Sequence, residues 1–461
     1  MNKKLIFILL CAILILGYKL REYSYASVPP PREDADEYAF AWAGLSLIKG
    51  EKPTAWSQFP QSYNDVKTVQ LNIDHTREGN VLLLDFTLVK PWFDNPPLLG
   101  LITGGYAYLK GARELVDTSV IFLRRPMLKM SLLVILAVYL LAKKLFNEKV
   151  GVLAAFLYSI TPVIVISSRV AIAENAYVLT FLVSLILALY WLEKNKILYW
   201  HLACLLAGVS FYFKISALAV FLSLFIFVLL YGRSKKIVLI KIAALYLFLT
   251  LAGYVLYGAI FGWKEFINVL INQTGRFYGA SSEAFYLAIT SSKVTKGLTD
   301  GWLNLAWISS FIIIFTGWLK DRGSTLISIA LFSYLLIFLI FGSEAYGHYR
   351  IPFYPFIIIS AAKVLIELYK KSNFILYLCL ILLPFGTSLH RLVGVFGFQK
   401  YVSPLRLTLG LCLIIAIFLL SKRKEGLALQ KLFVISTFLL TVILSILEVY
   451  FYTYEQWFFA T

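Results

Sequence analysis

Apolar stretches that approach or exceed the length of a membrane-crossing helix recur from one end of this chain to the other. A hydrocarbon core about 30 Å thick takes roughly 20 residues of helix. In lipid the segment must also satisfy its own backbone polar groups, so a bundle of helices is the structure these runs permit. Thirteen candidates fall at about 5–18, 127–142, 150–167, 176–192, 199–213, 215–231, 238–260, 301–318, 324–342, 352–368, 374–389, 404–421 and 430–449. The composition, 60% hydrophobic and only 15% charged, lies outside the range of soluble domains. An all-α polytopic membrane protein is therefore expected. Residues 98–109 (LLGLITGGYAYL) are too short and glycine-rich to span, and should lie along the interface or insert partly.

Lysine and arginine set the orientation, because short cytoplasmic loops retain positive charge. With the N-terminus inside, seven alternate segments, from Lys3-Lys4 to Lys422-Arg423-Lys424, hold 17 basic residues against the four acids Glu148, Glu193, Asp321 and Glu425. The opposite face collects Asp36, Glu37 and Glu174. Thirteen spans with N-in and C-out is self-consistent, and it spreads the net charge of +18 over loops, which argues against a nucleic-acid partner. The protein is expected in the cell membrane, with its lipids as partners and its chemistry extracytoplasmic.

The organisation is lopsided. Residues 1–18 form a first span, read as a retained anchor although Ser24-Tyr25-Ala26 imitates a cleavage site. A long extracytoplasmic loop with juxtamembrane segments fills 19–125, spans 2–7 occupy 126–260, a second outer loop 261–300, and spans 8–13 residues 301–461. Inside the first loop, YAFAWAGLSLIKG reads as a short amphipathic helix ended by glycine. Residues 67–90 alternate like two strands around a Glu-Gly-Asn turn, within a stretch, 53–92, that has the character of an insert. Asn272-Gln273-Thr274 is a short acceptor sequon on the outer side. Cys11, Cys204, Cys379 and Cys412 lie in or beside spans without C-x-x-C spacing, as packing residues do.

Five strings bear on chemistry. Asp36-Glu37 sits in a polar loop leading straight into an apolar, aromatic helix, where partial desolvation raises a carboxylate toward the range of a general base. Asp34-x-Asp36 also matches the metal-and-nucleotide D-x-D, but nucleotide sugars are normally absent from the outer face. Trp92-Phe93-Asp94-Asn95-Pro96-Pro97 fixes the backbone at re-entry and carries Asp94 at the interface. Ser168-Arg169-Val170-Ala171-Ile172-Ala173-Glu174-Asn175 is a polar knot in which Arg169 and Glu174 are expected to pair, for structure or for function. Lys214, alone among apolar residues, wants either a lipid phosphate or a snorkelling position. Arg350, in GHYRIPFYP, is a second outer cation able to grip phosphate with two nitrogens.

Asp-Glu in the first loop, PWFDNPPL, the long LRRPMLKMSLLVILAVYLLAKKLFNEKVGVLAAFLYSITPVIVISSRVAIAEN string and YRIPFYP resemble the GT-C membrane glycosyltransferases, especially the protein O-mannosyltransferase and aminoarabinose-transferase branch. The resemblance covers residues 1 to about 220 in order. It implies a GT-C fold and an enzyme that moves a sugar from a polyprenyl or dolichyl monophosphate to an acceptor in a protein, lipid or glycan, inverting the anomeric carbon. It also implies Asp36 as the base, with Glu37 supporting, and Glu174, Lys214 and Arg350 around the donor. Many relatives have His-Pro-Pro where this chain has Asn95-Pro96-Pro97.

Elementary mechanism runs parallel. A lipid phosphate is a tolerable leaving group, so transfer needs a base on the acceptor hydroxyl and cations on the departing phosphate. No metal or cofactor is required by this scheme, and His75, His201, His348 and His390 have no ligand spacing, although some GT-C relatives bind divalent ions. The competing class is a transporter or lipid-linked-sugar flippase, which would show repeats and broken helices at the midplane; no internal repeat is visible.

Overall fold

The computed structural model describes residues 3–31, 36–72, 83–274, 293–295, 298–341, 347–401 and 427–451, with isolated positions between 402 and 426. Helices stand at twelve of the thirteen apolar runs, and 404–421 lies largely outside the described residues. The chain begins with α1 (Lys3–Glu22), α2 (Asp36–Ile48) and the strands β1 (Ala55–Trp56), β2 (Asp65–Asn72) and β3 (Leu83–Lys90). There follow α3 (Leu98–Leu109), α4 (Val120–Leu145), α5 (Glu148–Ile160), α6 (Pro162–Ser167), α7 (Ala173–Lys194), α8 (Ile197–Phe213), α9 (Leu218–Tyr231), α10 (Lys236–Phe261) and α11 (Trp263–Thr274). The last five are α12 (Gly301–Gly317), α13 (Arg322–Phe341), α14 (Tyr354–Lys370), α15 (Phe374–Val395) and α16 (Leu427–Phe451).

Among the described residues, seven helices are long and apolar enough to cross a membrane: α4, α7, α10, α13, α14, α15 and α16. Four shorter apolar helices accompany them. This is a multi-pass integral membrane protein. The run 150–167 is not one continuous helix. Thr161 is extended (φ −60°, ψ 117°) and Pro162, which has no N–H to donate, opens α6 as its first residue. Caps mark other boundaries: Asn147 accepts from the backbone N–H groups of Lys149 and Val150 to start α5, and Asp300 accepts from those of Trp302 and Leu303 to start α12.

The first loop is a folded layer. β2 and β3 pair antiparallel from Asp65 opposite Lys90 to Asn72 opposite Leu83, and β1 joins the other edge of β3. The expected strand pair is present, and the turn drawn between the strands lies outside the described residues. The helix expected in YAFAWAGLSLIKG is present as α2, but it is not amphipathic: residues 37–46 are all buried. One side is covered by α3, which the sequence placed at the interface. Gly44, Gly100 and Gly104 make that crossing backbone to backbone. A Cβ on Gly44 would collide with the Gly100 carbonyl, and one on Gly104 would come within 2.5 Å of the Ala41 carbonyl oxygen and the Leu45 nitrogen. Small residues four apart are the means by which membrane helices approach closely.

Three buried arginines fasten the end of α1 and the chain after it to the bundle. Arg21 donates to the carbonyls of Tyr158 and Ser159, Arg169 to those of Leu20 and Val28, and Arg124 to those of Tyr25 and Pro29. At the C-terminal end Arg391 on α15 pairs with Glu448 on α16, and both are almost wholly buried. Ser388 donates to the same carboxylate at 2.6 Å, and the Trp302 indole on α12 donates to Ser445 at 2.8 Å.

Candidate active site

The acidic pair does not occupy a loop. Asp36 and Glu37 form the first turn of α2, where carboxylates complement the unsatisfied N–H groups and the positive end of the helix dipole. The two neighbours have different fates. Glu37 is fully buried and accepts from Arg124 through both oxygens, Nη2 at 2.6 Å and Nε at 2.8 Å, and from the Ala171 backbone N–H at 2.9 Å. Asp36 is only partly buried and lines a cavity of about 230 Å³. With Glu37 held by groups from α4 and from the segment before α7, the position of Asp36 is set by its neighbour.

The same cavity is lined by Asp94 and Lys214. Asp94 is held by two donors, the Tyr63 hydroxyl to Oδ1 at 2.5 Å and Ser57 Oγ to Oδ2 at 2.7 Å, while its backbone carbonyl accepts from the Gln273 amide at 2.5 Å. Burial and the Asp94 carboxylate raise the Tyr63 hydroxyl above its ordinary range, so it stays protonated and donating. Lys214 sits at the break between α8 and α9, its Nζ 2.5 Å from Glu174 Oε1 and 4.4 Å from the centre of the Tyr349 ring. Burial opposes its charge, but Glu174, Tyr349 and Asp36 outweigh that and keep the ammonium above the usual lysine value. The Tyr334 hydroxyl on α13 donates to the Tyr349 carbonyl at 2.7 Å and fixes that wall.

Two sequence-based expectations change. Arg169 and Glu174 do not pair: Glu174 is taken by Lys214, while Arg169 reaches back to the chain after α1. The polar knot itself persists through Asn175, whose amide donates to the carbonyls of Ser167 and Val170 at 2.7 and 2.9 Å. Arg350 is buried in the seven-residue 3-10 helix Gly347–Phe353 before α14, and it is absent from the cavity lining, whose cation among the described residues is Lys214. The sequon residue Asn272 lies in α11, its amide donating to Ser62 Oγ. Sequence reading passed over Arg124, Ser57, Tyr63, Tyr334 and Tyr349. Only the doubled arginine of LRRP at the start of a span signalled any of them.

Glu37 is taken by Arg124, Glu174 by Lys214, and both Asp94 oxygens accept hydrogen bonds. Among the described residues no group of three or more His, Cys, Asp or Glu side chains is arranged to hold a metal.

The helical bundle with its folded first loop defines the class through its structural likenesses: this is a GT-C fold, the fold of the ArnT and oligosaccharyltransferase structures. Residues 94–258 match the family profile described as dolichyl-phosphate-mannose-protein mannosyltransferase. ArnT from Cupriavidus metallidurans in the apo state superposes with a TM-score of 0.58 at 15% identity, covering 96% of this chain and 77% of that one. Its undecaprenyl phosphate-bound form gives 0.54 at 15% identity, over 98% and 78%. The Archaeoglobus fulgidus oligosaccharyltransferase AglB, in complex with an inhibitory peptide and a dolichol-phosphate, gives 0.54 at 12% identity over 98% of this chain, which spans 56% of that protein. No curated protein sequence matches this chain.

Proposed function

We propose that this protein transfers a sugar from a polyprenyl or dolichyl monophosphate to an acceptor hydroxyl at the extracytoplasmic face, with inversion at the anomeric carbon. The observation that carries this reading is that Asp36, Asp94 and Lys214, from three separate parts of the chain, line one cavity. The partial match to a mannosyltransferase profile, and the lipid phosphates bound by ArnT and AglB, support the donor class.

In the proposed step the acceptor oxygen attacks the anomeric carbon from the face opposite the phosphate. Its proton passes to Asp36, the bond from anomeric carbon to phosphate oxygen breaks, and the lipid monophosphate leaves with both electrons of that bond. The charge that develops on the leaving phosphate is met by Lys214, a fixed cation in a partly desolvated wall, where such stabilisation is strongest. Arg350, set back from the cavity, adds positive potential without touching the donor. Asp94, clamped by Tyr63 and Ser57, holds the re-entry segment and orients the acceptor. No step is routed through a metal.

The decisive experiment incubates the purified full-length protein with radiolabelled polyprenyl-phosphate sugars and scores lipid phosphate released together with labelled product. A transferase releases the two in equal amounts. Movement of intact donor across a vesicle membrane without cleavage would establish the flippase class instead.

A further inference from the structure

We infer that the acceptor is a neutral saccharide hydroxyl, read by the segment Trp56–Phe59; this rests on the transfer reading above. The cavity has two kinds of wall. One comes from the bundle: Lys214, Ile215 and Ser216 at the α8–α9 break, and Tyr334, Ile337 and Phe338 from α13. A cation backed by largely apolar side chains suits a phosphate on a prenyl chain. The other wall comes from segments outside every candidate span: Trp56 in β1 with Gln58 and Phe59 just after it, Trp92 and Asn95 after β3, and Gln273 on α11.

That second wall is aromatic surface interleaved with neutral amides. A sugar ring has apolar C–H faces and a rim of hydroxyls that each donate and accept. Indole and phenyl faces suit the former, and Asn and Gln amides, which also donate and accept, suit the latter. One cavity-lining residue also has an unspent hydrogen-bonding group: the buried indole N–H of Trp92 has no partner among the described residues. Groups left like this are the kind a hydroxyl-rich ligand completes. Charge narrows the class, since Asp36 and Asp94 on the same cavity disfavour an acidic acceptor. A polypeptide would be gripped best by strand addition, yet the strand at the cavity, β1, offers an edge only two residues long.

The test supplies the full-length protein with polyprenyl-phosphate mannose or glucose and, separately, neutral mono- and disaccharides or a Ser/Thr-containing peptide. Saccharides should accelerate lipid phosphate release and appear as extended products. Trp56→Ala and Gln58→Ala should raise the acceptor KM about tenfold and leave the donor KM within about twofold, with Trp56→Phe close to the parent. Gln58 is exposed, so its variant reports on recognition without disturbing the fold. Transfer to the peptide but to no saccharide, donor hydrolysis that no saccharide accelerates, or an unchanged acceptor KM in both alanine variants overturns this inference and leaves donor cleavage standing. If no donor is cleaved under any condition, the transfer reading falls and the inference with it.

Discussion

Two adjacent carboxylates in the first turn of α2 show how one residue step separates chemistry from architecture. Asp36→Asn keeps the shape and removes the proton acceptor, so transfer should fall by about 100- to 10,000-fold, with donor KM and melting temperature near the parent values. A variant that keeps most of its turnover removes Asp36 from the base role. Glu37→Gln leaves the fully buried Arg124 without its counter-charge, a loss of about 3–5 kcal/mol, to be read as a lowered unfolding midpoint in detergent. Lys214→Ala should raise donor KM more than acceptor KM. Because the Lys214 ammonium is held above the ordinary lysine value, its charge is complete through neutral pH and is lost only as pH rises through that raised value. Donor KM should therefore stay flat until well above about pH 10; a rise near neutrality would contradict this. The acid and the cation were named from the sequence, and the structure brings both to one cavity. Their partners were not legible in the sequence, because Arg124 lies 87 residues from Glu37, and Tyr63 lies 31 from Asp94.

Elements were legible where their period was simple, and misread where burial came from another element. The strands β2 and β3 announce themselves by alternation, and the spans by length. In α2 the pattern suggested one apolar face, yet residues 37–46 are buried all round, and α3, too short to span, folds over one side. Nothing local to either helix declares that contact; it depends on Gly44 meeting Gly100 and Gly104 at the level of the backbone. Gly100→Val should force the helices apart at a cost of about 1–3 kcal/mol or more, and since α2 begins with Asp36, activity should fall further than stability. Equal activity per folded molecule in that variant would show that the crossing does not set the position of Asp36. The break at Thr161-Pro162 was visible as a proline and was absorbed into a longer apolar run, which shows that hydropathy alone overrides punctuation too easily.

Over the whole molecule, the loop layer is fastened by arginines at the α1–α2 end, and the C-terminal helices are fastened by Arg391, Glu448, Ser388 and the Trp302–Ser445 contact. These anchorages have no shared residue, so their losses should add. Glu448→Gln should destabilise the fold by unpairing Arg391 while leaving acceptor and donor KM unchanged in the molecules that remain folded, measured after detergent solubilisation and size selection.

The contact between Lys214 and Glu174 has a further consequence for the end of the catalytic cycle. A lysine already occupied by a carboxylate binds an incoming phosphate only by exchange, so the enzyme cannot hold its lipid monophosphate product as tightly as a bare cation would. In the proposed transfer Glu174 would return to Lys214 when the phosphate departs, easing release of the spent lipid. Glu174→Gln should then be inhibited by lipid monophosphate at lower concentration than the parent and turn over more slowly at saturation, with product release rather than sugar transfer setting the pace. A burst of product in the first turnover, absent from the parent, is the signature to look for.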